Sequence, residues 1–264
     1  MGAGKIMTLS TGDAELTDDA FLGGQLQLLQ PRTGYRAGVD AVLLAAAVPC
    51  APGQVESVLD AGGGVGTVGL SVVRRCPSAT AVLLERSPKL VELAEENVRR
   101  NALSERVRVF SGDLTASWSE MAGLGLAIES FDHVVANPPF HLDGRGTPSP
   151  DAWKSAAHSM PEGDLDLWGR LLARMAVSGG TATMIHKADA LQAVLSALAG
   201  RFGAFKVLPV YPRQGQAAVR VIVQGIKGSR APLTLLSGLV LHGEGNAFTP
   251  AAQAILRDGG ALPL

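Results

Sequence analysis

The chain has 264 residues, 47% hydrophobic and 18% charged, with a formal net charge of −1. That length and apolar content suit one large globular domain and exclude an intrinsically disordered chain. No apolar run reaches the ~18 residues of a membrane-crossing helix, and a near-neutral balance does not announce a nucleic-acid binder.

Met1 to Leu16 carries acids where a secretory signal peptide needs a basic start and an apolar core, so the expected location is cytoplasmic. Residues 21–35, with Gly23-Gly24, Pro31 and Gly34, read as an irregular lead-in. Asp40 to Val48 is apolar enough for a buried helix, with Asp40 available as its cap. An apolar run, Val55 to Asp60, then opens onto Gly62, Gly63, Gly64 and Gly66, and Thr67 to Cys76 reads as a helix. A strand, a glycine loop and a helix form the opening unit of a doubly wound sheet, with glycines where backbone must approach a ligand.

Two ligands suit such a loop. Gly64-x-Gly66-x-x-Gly69, with Glu85 about 20 residues on, formally matches the dinucleotide fingerprint. Asp60, which begins Asp60-x-Gly62-x-Gly64-x-Gly66, would repel a pyrophosphate and suits a ligand carrying an ammonium group. S-adenosylmethionine has an amino group and a sulfonium and no phosphate, so the sequence favours that cofactor. Glu85 ends the next apolar run, where a carboxylate can accept from both ribose hydroxyls, or can serve as a charge at the start of the helix that Ser87-Pro88 opens. After a strand near 106–110, Asp113 can accept the adenine amino hydrogens and Leu114 can cover the ring; the other reading of Asp113 is a helix cap.

Residues 131–136 form another strand, followed by Asn137-Pro138-Pro139-Phe140. An exocyclic amine on a base or amide is a poor nucleophile because its lone pair is delocalised. Two acceptors held against its N–H groups favour the pyramidal nitrogen, and the Asn137 side chain and Pro138 carbonyl can supply them. Pro138 and Pro139 fix φ and stiffen the turn, and Phe140 can stack on a flat substrate. The plainer alternative is a rigid turn ending a strand.

The long segment 141–162 suits a substrate lid, with Trp153 as a contact or an anchor and His158 not expected to act as a base. A helix over 164–177 and a Gly179-Gly180 stop precede a fifth strand near 180–186. A helix near 188–199 leads to a hairpin of 205–211 with 217–224, an antiparallel edge in which Pro209 fits an outer position. The tail, 226–264, reads as an extended piece at 233–242 and a helix near 250–257. The expected fold is therefore α/β, a Rossmann-like seven-stranded sheet, mostly parallel with an antiparallel C-terminal hairpin strand. It forms one domain: lead-in and helix 1–54, catalytic core 55–225, extension 226–264.

Cys50 and Cys76 lack a CxxC or CxxH neighbour and the five His residues are scattered, so neither a disulfide framework nor a metal site is expected. Residues 186–230 hold Lys187, Arg201, Lys206, Arg213, Arg220, Lys227 and Arg230 against Asp189, a local excess that attracts phosphate if those residues share a face.

With Asp60-x-Gly62-x-Gly64-x-Gly66, Glu85, Asp113 and Asn137-Pro138-Pro139-Phe140 in order, the chain resembles class I S-adenosylmethionine-dependent methyltransferases of the amino-methylating Asn-Pro-Pro-aromatic group. More narrowly, Phe21-Leu22-Gly23-Gly24, Gln30-Pro31, Gly34-Tyr35-Arg36-Ala37-Gly38-x-Asp40, Leu241-His242 and Phe248-Thr249 resemble the bacterial valine-tRNA adenine N6-methyltransferase family. The resemblance implies cofactor binding by Asp60, the glycine loop, Glu85, Asp113, Leu114 and Asn137, and amine positioning by the turn Asn137, Pro138, Pro139 and Phe140. It implies tRNA as partner, with no metal and no membrane. Gly63 is smaller than the family's usual residue there. The nearest rival is a protein glutamine N5-methyltransferase, whose turn binds an amide nitrogen in the same way but whose group usually has a larger helical N-terminal domain and a Tyr where Phe140 stands. A nicotinamide-dependent oxidoreductase leaves Asn137 to Phe140 unexplained, and a DNA methyltransferase lacks room for a target-recognition domain.

Overall fold

The structure, a computed structural model, describes residues 16–34, 36–50, 54, 56–116, 118–140 and 164–264. The expected lid, with Trp153 and His158, lies outside them, as does Tyr35.

In chain order the elements are β1 (Leu16–Phe21), β2 (Leu26–Pro31), α1 (Val39–Ala47), β3 (Ser57–Ala61), α2 (Thr67–Arg75), β4 (Thr80–Glu85), α3 (Pro88–Arg100), β5 (Val107–Ser111), α4 (Trp118–Gly123) and β6 (Phe131–Ala136). There follow α5 (Asp164–Met175), β7 (Ala176–Lys187), α6 (Leu191–Leu198), β8 (Phe202–Arg213), β9 (Arg220–Lys227), β10 (Thr234–Leu235), β11 (Leu239–His242) and α7 (Pro250–Leu256). The main sheet runs β10-β8-β9-β7-β6-β3-β4-β5, with β11 also paired to β8. From β5 to β7 the pairs are parallel, and β9 lies antiparallel between β7 and β8. The seven expected strands are its body; β10 and β11 extend its outer edge. The break between those two short strands falls opposite Pro209, since Leu235 pairs with Val207 and Leu239 with Val210.

The inner strands alternate between two apolar layers. Val58, Leu83, Ile185 and Ile222 face α1, α2, α3 and α7, whereas Leu59, Leu84, Met184 and Val223 face α4, α5 and α6. Two-residue periodicity with both faces covered is what a largely parallel sheet demands. Beyond Asp40 in its first turn α1 is wholly apolar, and Ala41 to Ala47 are all buried.

Four local expectations are corrected. The lead-in is a hairpin, β1 antiparallel to β2 with Phe21 opposite Leu26. Gly179-Gly180 lies inside β7, which begins directly after α5. The two-residue step from Phe131 to His133 on β6 stands opposite a five-residue step from Ala176 to Thr181 on β7, and Gly179 (φ +77°) allows that bulge. Asp40 does not cap α1: Gly38 stands at the cap, and Asp40 in the first turn pairs with Arg220. Cys50 and Cys76 are joined as a disulfide, because α1 and α2 pack side by side and bring their C-terminal ends to a Cα separation of 5.8 Å.

Two asparagines one turn apart, Asn97 on α3 and Asn101 at its C-terminal cap, complete the outer edge of β2. Asn97 accepts from Leu29 N (2.7 Å) and donates to Leu29 O and Val65 O (both 3.0 Å); Asn101 accepts from Gln27 N (3.0 Å) and donates to Gln27 O (2.9 Å). Their side-chain amides imitate the peptide groups of a missing strand. Asn97 is fully buried, and its substitution by Ala would leave one donor and two acceptors unpaired. At roughly 1–3 kcal/mol for each unsatisfied group, with partial relaxation, Asn97→Ala is expected to lower unfolding free energy by about 2–4 kcal/mol. Urea unfolding measures this, and a loss below about 1 kcal/mol would contradict the arrangement.

Candidate functional site

The strand order reverses at β3, with β4 on one side and β6 on the other. In open α/β sheets this is where ligands bind, outside the carboxyl ends of the strands. Asp60 near the end of β3, Glu85 closing β4, Asp113 after β5 and Asn137 after β6 all stand along that edge.

The glycine loop is built on β4. Gly62 N and Gly63 N both donate to Leu84 O (2.8 and 3.0 Å), and Gly66 N donates to Gly63 O (2.8 Å). Gly62, Gly64 and Gly66 have φ of +66°, +56° and +92°, the left-handed region that L side chains avoid. At Gly62 space is also limiting, since a Cβ there would lie 2.5 Å from Cη2 of the buried Trp168 on α5.

Two carboxylates brace this loop. Glu85 is 8% exposed; its Oε2 accepts from Gly64 N (2.9 Å) and its Oε1 from Ser87 N (2.8 Å). Each oxygen retains a second lone pair, so the carboxylate can still accept from ligand hydroxyls. Asp60 is 1% exposed and its Oδ2 accepts from Gly69 N (3.0 Å), which ties the end of β3 to the first turn of α2. Asp60 thus sits behind the loop rather than at its mouth. Burial, augmented by the nearby charge of Glu85 and opposed by the Gly69 hydrogen bond, pushes its pKa up to about 7.

That shift has a measurable consequence. Between the ordinary carboxyl value of 3.8 and about 7, the folded chain holds a proton at Asp60 that the unfolded chain releases. Wild-type stability at this group is therefore highest below that window and falls as pH rises through it, by on the order of 4 kcal/mol in total. The substitution Asp60→Asn would keep an acceptor for Gly69 N without a titrating charge. The stability of wild type minus that of Asp60→Asn is expected to decline from pH 4 to pH 7, and a difference independent of pH would contradict the burial argument.

Asp113 is half-buried and shaped by Thr115, whose hydroxyl (2.6 Å) and N–H (2.8 Å) both donate to its Oδ1. Burial raises its pKa, but these bonds and the Arg86 guanidinium at 3.9 Å outweigh burial and hold it below the usual carboxylate value. Leu114 beside it is half-buried against the apolar layer of α4 and α5. Pro138 is buried; Asn137, Pro139 and Phe140 are half-buried.

Sequence reasoning missed three neighbours of the turn. Arg220 at the start of β9 lies over the Phe140 ring, 4.8 Å from its centroid. Its Nε donates to Asp40 Oδ2 (2.8 Å). His186 near the end of β7 meets Phe140 edge-on, with centroids 5.1 Å apart. Burial, helped by Lys187 and Arg220 and opposed by Asp189, holds the His186 imidazole below its ordinary pKa and so neutral.

Arg36 braces the N-terminal hairpin, donating to Thr17 Oγ1 (2.7 Å) and Asp19 Oδ2 (2.8 Å). The C-terminal cations do not share one face. Lys187, Arg213 and Arg220 stand at the carboxyl edge, while Arg201 and Lys227 stand at the opposite edge, paired with Asp166 and Glu129. A cleft of about 530 Å³ opens there between Ile128, Glu129, Arg174, Arg201 and Lys227, and no predicted site residue lines it.

The edge suits S-adenosylmethionine. The loop admits no Cβ at Gly62, and the strand-end side chains around it are carboxylates, which fit hydroxyl and amine donors better than a pyrophosphate. Residues 38–157 match the family model of the methyltransferase small domain. A tRNA1(Val) (adenine(37)-N6)-methyltransferase of Actinobacillus succinogenes is 26% identical over 235 residues, covering 88% of this chain and 92% of that protein. A protein of the same name from Porphyromonas gingivalis is 33% identical over 132 residues, 49% of this chain and 51% of its own. Among solved structures, one described as a predicted O-methyltransferase from Agrobacterium tumefaciens superposes with a TM-score of 0.72 at 30% identity, covering 85% of this chain and 99% of that one. Loop, sheet order and relatives agree: the chain belongs to the class I S-adenosylmethionine-dependent methyltransferases.

Proposed function

We propose that this methyltransferase acts on the exocyclic N6 amine of an adenine in tRNA. The observation that carries the reading is Asn137-Pro138-Pro139-Phe140 leaving β6 at the carboxyl edge, one strand from the glycine loop of β3. Cofactor contacts fall to the backbone of Gly62, Gly64 and Gly66, to Glu85 for the ribose hydroxyls, and to Asp113 with Leu114 for the adenine. Asp60 braces the loop from behind by accepting from Gly69 N at the start of α2. When bound, S-adenosylmethionine supplies an electrophilic methyl group.

The chain's own part is positioning. The Asn137 carbonyl and the Pro138 carbonyl accept the two amine hydrogens and favour the pyramidal nitrogen. Pro138 and Pro139 hold that turn stiff, and Phe140 stacks on the extruded base. No strong base is needed, because the product nitrogen is acidic once alkylated. The names of the relatives support tRNA over the alternative, a protein glutamine N5-methyltransferase that would hold an amide nitrogen with the same acceptors. Both substrates reside in the cytoplasm, and the reading needs neither membrane nor metal.

The test is nucleoside mass spectrometry of tRNA from a strain lacking the gene. N6-methyladenosine should fall in one tRNA and return with the wild-type gene. Unchanged tRNA, with N5-methylglutamine lost from protein, would move the assignment to the alternative.

A further inference from the structure

The ion pair of Asp40 and Arg220 joins residues 180 apart in the chain, the first turn of α1 and the first residue of β9. It is not an ordinary surface pair, since the side chains are only 23% and 27% exposed. Arg220 is also fixed through Nη1, which donates to Val219 O (3.0 Å). Its Cζ so placed lies over the Phe140 ring, 4.8 Å from the centroid, and His186, whose cross-strand partner is Val221, meets the same ring edge-on. Side chains paired across strands share a face, so Arg220 (partner Lys187) and His186 reach Phe140 from opposite faces of the sheet.

We propose that Arg220, oriented by Asp40, is a positioning residue for methyl transfer: it sets the Phe140 ring in the attitude from which that ring receives the substrate base. This rests on the reading of Phe140 as the base platform. A half-buried Phe beside a stiff turn has more than one rotamer open to it, and a cation over its π face selects one. The planar guanidinium matters as well as its charge. A guanidinium can bond a carboxylate through its edge and still offer its face to a ring, which a Lys ammonium cannot do.

The test combines a double-mutant cycle with a spectroscopic readout. Arg220→Met is expected to lower kcat/KM for tRNA methylation about tenfold when Phe140 is present, and less than about twofold in a Phe140→Leu background. Arg220→Lys should keep the melting temperature, because it retains the charge opposite Asp40, yet recover little of the lost kcat/KM. With 4-fluorophenylalanine at position 140, the fluorine resonance of the free protein should move in both Arg220→Met and Asp40→Asn.

Equal losses in the two backgrounds, or full recovery with Lys, would overturn the proposal and leave the pair a structural tie. An unmoved fluorine resonance would overturn it independently of any activity. If Phe140→Leu alone costs nothing in methyl transfer, the platform reading itself fails, and the proposal with it.

Discussion

Replacing Asn137 with Ala is expected to lower kcat/KM for methyl transfer by about 10³-fold while leaving cofactor affinity within about threefold. The reason is geometric. Asn137 follows the last residue of β6, whose Val135 and Ala136 are fully buried and paired with Asp60 and Ala61 of β3. The turn therefore inherits the rigidity of the sheet centre, and its carbonyls need no reorganisation when an amine arrives. In the proposed mechanism, removing the side-chain carbonyl strips one of the two acceptors assigned to the amine, so the loss is expected to fall on the transition state and appear in kcat. Asn137→Asp keeps an oxygen acceptor and should retain more activity than Ala. Cofactor affinity, followed by calorimetry, separates this role from a general collapse of the edge. A fall below tenfold in kcat/KM would mean that the turn does not hold the reacting amine.

The second large effect is at Gly62. A Cβ here meets two penalties: a φ of +66°, and an approach of 2.5 Å to Trp168 Cη2. Left-handed strain costs about 1 kcal/mol or more, and overpacking a buried aromatic about 1–3 kcal/mol, so Gly62→Ala is expected to destabilise by about 2–4 kcal/mol. Because the Gly62 N–H is one of the two bonds that seat the loop on Leu84 O, cofactor binding should weaken by tenfold or more as well. Trimming Trp168 to Leu in the Gly62→Ala background should relieve the clash, recovering part of the cofactor affinity without removing the backbone strain. Gly123→Ala, where no atom lies within 4 Å of the new Cβ, is the control and should be neutral. Wild-type cofactor affinity in Gly62→Ala would contradict the close-approach account of the loop.

What the sequence made legible was local. Asp60, Glu85, Asp113 and Asn137 each end an apolar run or closely follow one, and the glycine cluster follows β3 directly, so strand, turn and edge could be read within windows of ten residues. What stayed hidden depends on partners far along the chain. The β1–β2 hairpin lacks an obvious strand signature between Gly23-Gly24 and Pro31, and part of its hydrogen bonding comes from Asn97 and Asn101, some 70 residues away. The Arg220–Asp40 pair and the Cys50–Cys76 bond are likewise products of packing, and α1 had to be placed beside α2 and β9 before either could be seen. The Gly179-Gly180 pair suggested a stop because two glycines usually interrupt an element; β7 instead absorbs them as a bulge, held by the buried strand that follows. Asp60 was legible as an acid but not as one facing the back of the loop, because its orientation depends on Gly69 in the next helix.

Transfer of a methyl group at the carboxyl edge to an exocyclic amine in RNA is open to direct measurement. Its most direct test is transfer from labelled S-adenosylmethionine to separate tRNA, DNA and protein pools from a strain lacking the gene, with the labelled product identified by mass spectrometry. Label is expected in tRNA as N6-methyladenosine, absent with Asn137→Ala. Label appearing only in protein or DNA, or on a ribose oxygen of tRNA, would contradict it.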